Sequence, residues 1–300
     1  MLEENSAQWE AQGIKVCCID DPQYPPLLKE IHGAPEQLWY RGTWPIQPWY
    51  SIGIVGSRKM SSYGTTVLPP LVHDLARAGL VITSGLAYGV DALAHTSALD
   101  VGGTTIAVVA GGVDDESVYP ADHLGLMKRI INNGGLVISE SPPGTRPRKY
   151  SFPLRNRIIS GISLGVLVAQ AAARSGSLIT ATCALEQDRD VFALPGPLTD
   201  PLSEGPHALI RKGAKLVTSL QDIFEAFEFL DLPKEYARPE STPENEIEAV
   251  ILATMSSDPV HIDTLIQICK RESHMVSSAL LMLEMRGVVR NVGNMYYVKT

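Results

Sequence analysis

The segment IGIVGSR, at residues 52–58, indicates the fold class, because a short apolar run there ends in glycine, serine and arginine. Six further apolar runs follow, mostly β-branched and separated from one another by stretches of helix length. They lie at residues 80–83, 104–109, 136–139, 164–169, 190–194 and 214–217. Short strands that are buried on both faces and alternate with helices are typical of a parallel sheet. Because the crossovers are right-handed, we expect an α/β fold with helices on both faces of the sheet.

Two consecutive prolines, Pro69 and Pro70, lie in the middle of the helix-length stretch 62–78. Proline has no amide hydrogen to donate, and its ring clashes with the carbonyl of the preceding turn. The sequence therefore predicts that this helix breaks or restarts at the prolines.

The domain organisation follows from changes in composition along the 300 residues, a length that suggests about two domains. Residues 1–48, rich in aromatic residues and proline, are interpreted as a short lead-in, and residues 49–230 as the α/β domain. Residues 231–243 have no regular pattern and are predicted to be a linker. Residues 244–300 are interpreted as a winged helix domain, on the basis of helical segments at 244–255, 261–270 and 274–286 and a hairpin pattern at 288–299.

Overall composition excludes several classes of protein. The hydrophobic fraction of 45% against 19% charged residues excludes a mostly disordered chain. The net charge of −8 excludes a globally basic nucleic-acid coat, although a local basic site remains possible. No run approaches the ~20 apolar residues that span a bilayer, and Met1 to Gly13 lacks the apolar core of a signal peptide. The four cysteines form no CxxC pair. We therefore expect a cytoplasmic protein without membrane contact, metal or disulfide framework.

The strongest electrostatic feature is the segment 141–185, which contains no Asp or Glu. It holds six cations and places Tyr150 and Phe152 among them: Arg146, Arg148, Lys149, Arg155, Arg157 and Arg174. Cations that neutralise phosphates, interleaved with rings that stack on bases, are typical of sites for single-stranded nucleic acid. A basic surface loop that balances acidic helices elsewhere is the less favoured interpretation.

Two strand ends carry candidate anion-binding turns, Gly56-Ser57-Arg58 and Ser175-Gly176-Ser177. Glycine allows a tight turn whose amide groups face an anion, and a helix amino terminus attracts negative charge. A plain turn with a surface arginine, or helix capping by serine, would give the same residues. The GxGxxG and GxSxG patterns are absent, so neither NAD binding nor a nucleophilic serine is indicated.

A third strand end leads into Asp91 and His95, one helical turn apart. They could be half of a metal or acid–base site. Because no further His or carboxylate pattern completes such a site, a structural hydrogen-bonded pair is the favoured interpretation.

Several strings, in this order along residues 14–218, resemble the DNA-processing protein A family, also called Smf. They are GSR (56–58), SGLAYGVDALAH (84–95), FPLRNRIISG (152–161), SGSLIT (175–180) and PGP (195–197). The segment from residue 244 is similar to the winged helix that many members carry. The resemblance implies an extended Rossmann-like fold without catalytic residues or cofactor. It also implies a protein that binds single-stranded DNA as a homodimer, protects incoming DNA, and loads the RecA recombinase in natural transformation and recombination.

The resemblance also implies the residues of the DNA-binding pocket. They are Gly56, Ser57 and Arg58, then Lys149, Phe152, Arg155, Asn156 and Arg157, and finally Ser175, Gly176 and Ser177. Gln170 replaces an acidic residue usual in the family, and His207 stands where asparagine is common. The amino-terminal helical domain of many members is truncated or absent, since about 48 residues precede the first strand.

Two other functions remain open. A Rossmann-like nucleotide phosphoribohydrolase is the alternative, although the PGGxGT-type loop of such enzymes is missing. The winged helix could read duplex DNA, but residues 240–300 hold five cations against eight acids. A helix that reads DNA normally carries several cations, so a protein-contact or auxiliary role is favoured for this domain.

Overall fold

The structure is a computed structural model that describes residues 6–47, 49–227, 230, 243, 245–255, 259–285 and 288–299. The chain divides into two compact units, 1–231 and 232–300. Apart from Pro243, the predicted linker 231–243 lies outside the described residues. In the described part of the chain, no helix has the length and apolar character needed to cross a membrane.

The first unit begins with two strands in the segment that we interpreted as a lead-in. Its elements are α1 (Ser6–Ala11), β1 (Lys15–Cys18), α2 (Pro26–Lys29), β2 (Gln37–Gly42), β3 (Ser51–Val55), α3 (Ser62–Arg77), β4 (Val81–Ser84), α4 (Val90–Asp100), β5 (Thr105–Val108), α5 (Leu124–Asn132), β6 (Leu136–Ser139), α6 (Ser151–Gly161), β7 (Gly165–Val168), α7 (Ser177–Glu186), β8 (Asp190–Ala193), α8 (Glu204–Arg211), β9 (Lys215–Leu216) and α9 (Leu220–Phe224).

These nine strands form one sheet in the order β1-β2-β6-β5-β4-β3-β7-β8-β9. All neighbouring strands from β6 to β9 are parallel, and the pairs β1–β2 and β2–β6 are antiparallel. The seven predicted strands are thus confirmed. The two antiparallel strands were not predicted, because the alternation in QLWYRG is short and lies among prolines and tryptophans.

Helices cover both faces of the sheet, as predicted. Helix α4 packs against α3 and α5, whereas α6 packs against α7. Because the chain runs outward from β3 in one direction and from β7 in the other, right-handed crossovers place these two groups on opposite faces. The central strands are buried along their whole length, with Ile52 and Ile54 of β3 fully inaccessible.

The predicted break at the prolines is wrong, because α3 is continuous from Ser62 to Arg77 with Pro69 and Pro70 inside it. The prolines remove the amide donors that would reach the carbonyls of Thr65 and Thr66. The helix nevertheless buries Leu68, Leu71, Val72 and Leu75. Tertiary packing therefore outweighs the lost hydrogen bonds.

The second unit contains the three predicted helices and the predicted hairpin. Its elements are α10 (Glu246–Thr254), β10 (Val260–His261), α11 (Ile262–Cys269), α12 (Ser273–Met285), β11 (Val289–Gly293) and β12 (Tyr296–Lys299). The strands form a small sheet in the order β10-β12-β11. Three helices around one apolar core, closed by a three-stranded sheet, are the architecture of a winged helix.

Candidate nucleic-acid interface

The candidate site lies at the carboxyl ends of β3 and β7, where the strand order reverses. From β3 the chain continues to β4, β5 and β6 on one side, and from β7 to β8 and β9 on the other. The connections therefore diverge to opposite faces and leave a crevice, which is where open α/β sheets bind ligands. A cleft of about 600 Å³ opens at this point. Its lining includes ten of the eleven predicted residues: Gly56, Ser57, Arg58, Lys149, Phe152, Arg155, Asn156, Ser175, Gly176 and Ser177.

The turn after β3 brings Arg58 to the cleft. A Cβ atom on Gly56 would lie 2.6 Å from Val90 Cγ2 and 2.8 Å from the Gln170 carbonyl oxygen, so only glycine fits this close approach. The Ser57 amide donates to the Gln170 carbonyl at 2.6 Å, and the Lys59 amide donates to Ser57 Oγ at 3.1 Å. The turn 56–58 is predicted to direct its amides at an anion, but the Ser57 amide is already used within the protein. Attraction for an anion here therefore comes from the Arg58 side chain.

An aromatic ring forms a second wall of the cleft. Phe152, in the first turn of α6, lies with its ring centroid 5.2 Å from Arg58 Cζ. The exposed ring of Tyr119 meets it edge to face at a centroid distance of 5.7 Å. The cleft thus combines a cation, which suits phosphate, with rings that offer faces to a base. Tyr119 was not predicted, since it lies in the loop after β5 without a motif around it.

Arg155 supplies a buried positive charge between the two walls. Its side chain is 7% exposed, and its Nε and Nη1 atoms have no hydrogen-bond partner among the described residues. A Cβ atom on Gly85 would lie 1.5 Å from Arg155 Nη1, so this glycine makes room for the guanidinium. Burial lowers the pKa of Arg155 to about 10, and it stays charged at neutral pH. A buried arginine with unused donors favours an anionic ligand nearby.

Asp91 is the one carboxylate among the described residues that line the cleft. Its Oδ2 accepts hydrogen bonds from the amides of Gly85 at 3.1 Å and Ala87 at 3.3 Å. Burial raises the pKa of Asp91, and the Arg155 charge opposes this effect. The carboxylate therefore shapes the loop after β4 and compensates part of the buried arginine charge.

His95 and Asp91 are not hydrogen-bonded to each other, so the predicted hydrogen-bonded pair is wrong. His95 Nδ1 lies 2.7 Å from Thr105 Oγ1, which donates its own proton to the Ile82 carbonyl at 2.5 Å. Each of the two residues instead connects α4 to neighbouring segments. Among the described residues, no cluster of three or more His, Cys, Asp or Glu side chains could hold a metal ion.

The turn before α7 closes the far side of the cleft. Ser175 Oγ and Ser177 Oγ are 2.7 Å apart, and the Ser177 amide donates to Ser175 Oγ at 3.3 Å. Asn156 Nδ2 donates to the Gly176 carbonyl at 3.5 Å and connects α6 to this turn. The amino terminus of α7 therefore borders the cleft and adds a favourable potential for a negative ligand.

Arg157 is the predicted residue that does not line the cleft. Its Nη2 atom is 2.7 Å from Glu140 Oε1, and its Nη1 atom donates to the Gly33 carbonyl. Residues two apart on a helix point about 200° away from each other. Because Arg155 faces the cleft, Arg157 on the same helix faces the segment around Gly33.

Gln170 and His207, the two departures from the resemblance, both hold loops in place. Gln170 Oε1 accepts from the Ser61 amide at 3.1 Å, and its Nε2 donates to Ser61 Oγ and to Asp200 Oδ2 at 2.7 and 3.3 Å. The amide side chain therefore connects the start of α3 to Asp200. His207 Nε2 lies 3.1 Å from the Gly196 carbonyl oxygen, which anchors the loop after β8.

Comparison with family models assigns both units. Residues 15–228 match the model of DNA recombination-mediator protein A, and residues 235–294 match the DprA winged helix domain. DNA processing protein DprA of Bacillus subtilis is 45% identical over 220 residues, which are 73% of each chain. Protein Smf of Escherichia coli is 40% identical over 300 residues, covering 98% of this chain and 80% of the relative.

Solved structures agree with this assignment. DNA processing protein A from Streptococcus pneumoniae superposes with a TM-score of 0.68 at 44% identity, over 76% of this chain and 80% of that one. DNA processing protein A from Helicobacter pylori, known for its single-stranded DNA binding mode, superposes with a TM-score of 0.62 at 28% identity. That match covers 74% of this chain and 98% of the other. The chain belongs to the DNA recombination-mediator protein A family, whose members are named DprA or Smf.

Proposed function

We propose that this protein binds single-stranded DNA in the cleft between β3 and β7, protects incoming DNA and loads the RecA recombinase on it. The observation that carries the proposal is the composition of the cleft wall. Arg58 and Lys149 are exposed, Arg155 is buried with unused donors, and the Phe152 ring lies beside them. An unpaired strand presents phosphates and base faces together, and this wall offers a partner to each.

Binding, rather than hydrolysis of a nucleotide, fits the chemistry of the cleft. Its one carboxylate among the described residues, Asp91, is buried and accepts two backbone hydrogen bonds. A hydrolase would need a free base or nucleophile in reach of the bound substrate. The likeness to the Helicobacter pylori protein also favours single-stranded DNA as the ligand.

Partners and location follow from the same proposal. A second copy of the chain is the expected partner in DNA binding, and the recombinase is the expected receiver of the DNA. Cys17, Cys18, Cys183 and Cys269 are free thiols, which suits a reducing cytoplasm. The exposed face of α12 carries Met275, Leu281 and Met282 rather than cations, so we assign the winged helix to protein contacts.

The test is a titration of mixed-sequence single-stranded oligonucleotides with the wild type, Arg58→Ala and Lys149→Ala at several salt concentrations. Each variant should bind all sequences about tenfold more weakly, which corresponds to about 1.4 kcal/mol. The slope of log affinity against log salt should fall by about 0.7 for each lost phosphate contact. The same variants should also reduce the nucleation of recombinase filaments on the bound strand.

Arg77→Ala is the matched control, because Arg77 is exposed in the last turn of α3, at the opposite edge of the sheet. Its binding curves should overlay those of the wild type. Unaltered salt slopes in the Arg58 and Lys149 variants would contradict the proposal. Release of free base from AMP would favour the phosphoribohydrolase instead, and tight sequence-selective binding of duplex DNA would favour a regulator that reads DNA with its winged helix.

A further inference from the structure

A second cleft of about 570 Å³ lies beside the first, at the carboxyl ends of β5 and β6. Its walls are the residues that follow these two strands, the loop 141–150 and the first turns of α6. Arg155 lines both clefts. The two spaces are therefore neighbours along one edge of the sheet, on either side of a single buried guanidinium.

Two free cations face this second space. Arg146 and Arg148 are exposed, and neither forms an ion pair with a described residue. Glu140, the carboxylate in the same wall, is already paired with Arg157 at 2.7 Å. The wall thus has unneutralised positive charge, as a phosphate site requires.

The loop that carries these arginines is held in place by hydrogen bonds. The Gly144 amide donates to Asp114 Oδ1 at 2.6 Å, and the Gly112 amide donates to the Thr145 carbonyl at 2.8 Å. Ser139 Oγ donates to the Gly111 carbonyl at 2.6 Å. Because the backbone on both sides of the cleft is connected in this way, the cations need little ordering when a ligand binds.

Apolar surface in the cleft is suited to a base. The Tyr150 side chain is 60% exposed and that of Leu154 is 53% exposed, and both line the second cleft. The second cleft thus has an exposed ring, Tyr150, and two cations, as the first cleft has Phe152 and Arg58. The buried Arg155, whose Nε and Nη1 atoms have no partner among the described residues, lines both clefts.

We infer that the second cleft is a further nucleotide subsite, which takes the continuation of a single strand whose adjacent nucleotide occupies the first cleft. Arg146 and Arg148 contact its phosphates, Tyr150 stacks on its base, and the charge of Arg155 attracts the phosphodiester between the two subsites. This inference rests on the proposed function, because it extends the same DNA-binding edge.

The first experiment compares Arg146→Gln/Arg148→Gln with Arg77→Gln/Arg129→Gln in the full-length protein. The control arginines are exposed in the last turns of α3 and α5, so they lie at the opposite edge of the sheet. Oligothymidylates from about 4 to about 16 nucleotides are titrated, which spans the site sizes of single-strand binders. Wild-type affinity should rise with length.

Arg146→Gln/Arg148→Gln should bind the shortest strand as the wild type does and the longest strand at least tenfold more weakly. Its salt slope on the longest strand should fall by about 1.4, because each lost phosphate contact on a single strand contributes about 0.7. The control pair should follow the wild type at every length.

The second experiment tests the ring. Ultraviolet cross-linking of the wild type to a long oligothymidylate should give a DNA-linked peptide that contains Tyr150. Tyr150→Phe should keep the affinity for the long strand, whereas Tyr150→Ser should lower it several-fold, since serine offers no ring for a base to stack on.

The outcomes separate this inference from the proposed function. If Arg58→Ala loses binding while Arg146→Gln/Arg148→Gln is unchanged at every length, the subsite is overturned and the proposed function stands. If the arginine pair weakens short and long strands equally, the loop only shapes the first cleft, and the inference is wrong. If dTMP binds Arg58→Ala but not Arg146→Gln/Arg148→Gln, the second cleft is a free-nucleotide site, which also overturns it. A wild type that binds no single strand defeats both proposals.

Discussion

At the residue scale, the buried guanidinium of Arg155 depends on the absence of a side chain at Gly85. The guanidinium would lie 1.5 Å from a Cβ atom at that position. The requirement is one of space and not of backbone conformation, because the φ angle of Gly85 is not positive. A small residue far along the chain therefore decides whether the cation lies at the cleft.

Gly85→Ala should displace the Arg155 guanidinium and weaken binding of single-stranded DNA about tenfold, or about 1.4 kcal/mol. Crowding of a packed site should also lower the free energy of unfolding by about 1–3 kcal/mol. The measurements are a DNA titration and a urea unfolding curve on the same samples.

Gly125→Ala is the matched control, since a Cβ atom at Gly125 meets nothing within 4 Å. In helix α5 this change should leave DNA binding as it is and stabilise the protein by about 0.5–1 kcal/mol. Normal DNA affinity in Gly85→Ala would show that the position of Arg155 does not matter for the ligand.

The FPLRNR motif shows where sequence reasoning at this scale succeeds and where it stops. Through the family resemblance, this motif assigns both Arg155 and Arg157 to the DNA-binding pocket. The helical rotation between them separates their side chains, and Glu140 lies where Arg157 points. Which cation reaches the cleft therefore depends on the neighbours of α6, and these neighbours come from distant segments.

At the scale of elements, His95 connects α4 to β5 and makes that contact sensitive to acid. Its Nδ1 atom donates to Thr105 Oγ1, because the Thr105 hydroxyl proton is already given to Ile82. Burial lowers the pKa of His95 to about 3, with smaller contributions from Arg155 and His123. The folded state therefore keeps the imidazole neutral where the unfolded chain, with a pKa near 6.5, would protonate it.

The unfolded state binds the extra proton between about pH 3 and about pH 6.5, so stability decreases as the pH falls through that window. The expected contribution of His95 is a slope of about 1.4 kcal/mol per pH unit. His95→Gln should flatten the plot of unfolding free energy against pH by this amount between pH 6 and pH 4, although it lowers stability at neutral pH.

His32→Gln is the control for this measurement, because the His32 side chain is exposed. Its unfolding free energy should change with pH as steeply as that of the wild type. If the unfolding free energy of His95→Gln falls with acid as steeply as that of the wild type, groups other than His95 account for the acid sensitivity.

Helix α3 shows that tertiary packing can outweigh local helix propensity. Local rules predicted a break at Pro69 and Pro70, yet the helix continues because its apolar side covers the sheet. Propensity is a local quantity, whereas burial of Leu68 and Leu75 depends on strands that the helix meets only in the folded state.

At the scale of the whole molecule, the α/β unit exposes an apolar groove at the end of its sheet. The groove includes Leu198, which is 92% exposed, and Leu216 of the edge strand β9, which is 47% exposed. Glu204 and Arg211, at opposite ends of α8, line the same groove. Because a twofold axis brings the same surface of two copies together, we expect the proposed homodimer to form through this groove, with Glu204 of one copy paired to Arg211 of the other.

Leu198→Glu should therefore convert the dimer to a monomer in sedimentation velocity experiments, because a charge would be buried at the interface. Ile46→Glu is the matched control, since Ile46 is also 92% exposed but lies outside the groove. It should sediment as the wild type does. A dimer that tolerates Leu198→Glu would place the interface elsewhere.

The sequence alone determined the α/β class, the seven parallel strands, the winged helix segments and the acid-free basic window. These features depend on local periodicity and composition, and both can be read from neighbouring residues. Four features became visible only in the folded chain: the strand reversal between β3 and β7, the burial of Arg155 next to Gly85, the pairing of Arg157 with Glu140, and the second cleft. Each of these depends on which distant segments become neighbours, and no local pattern specifies that contact.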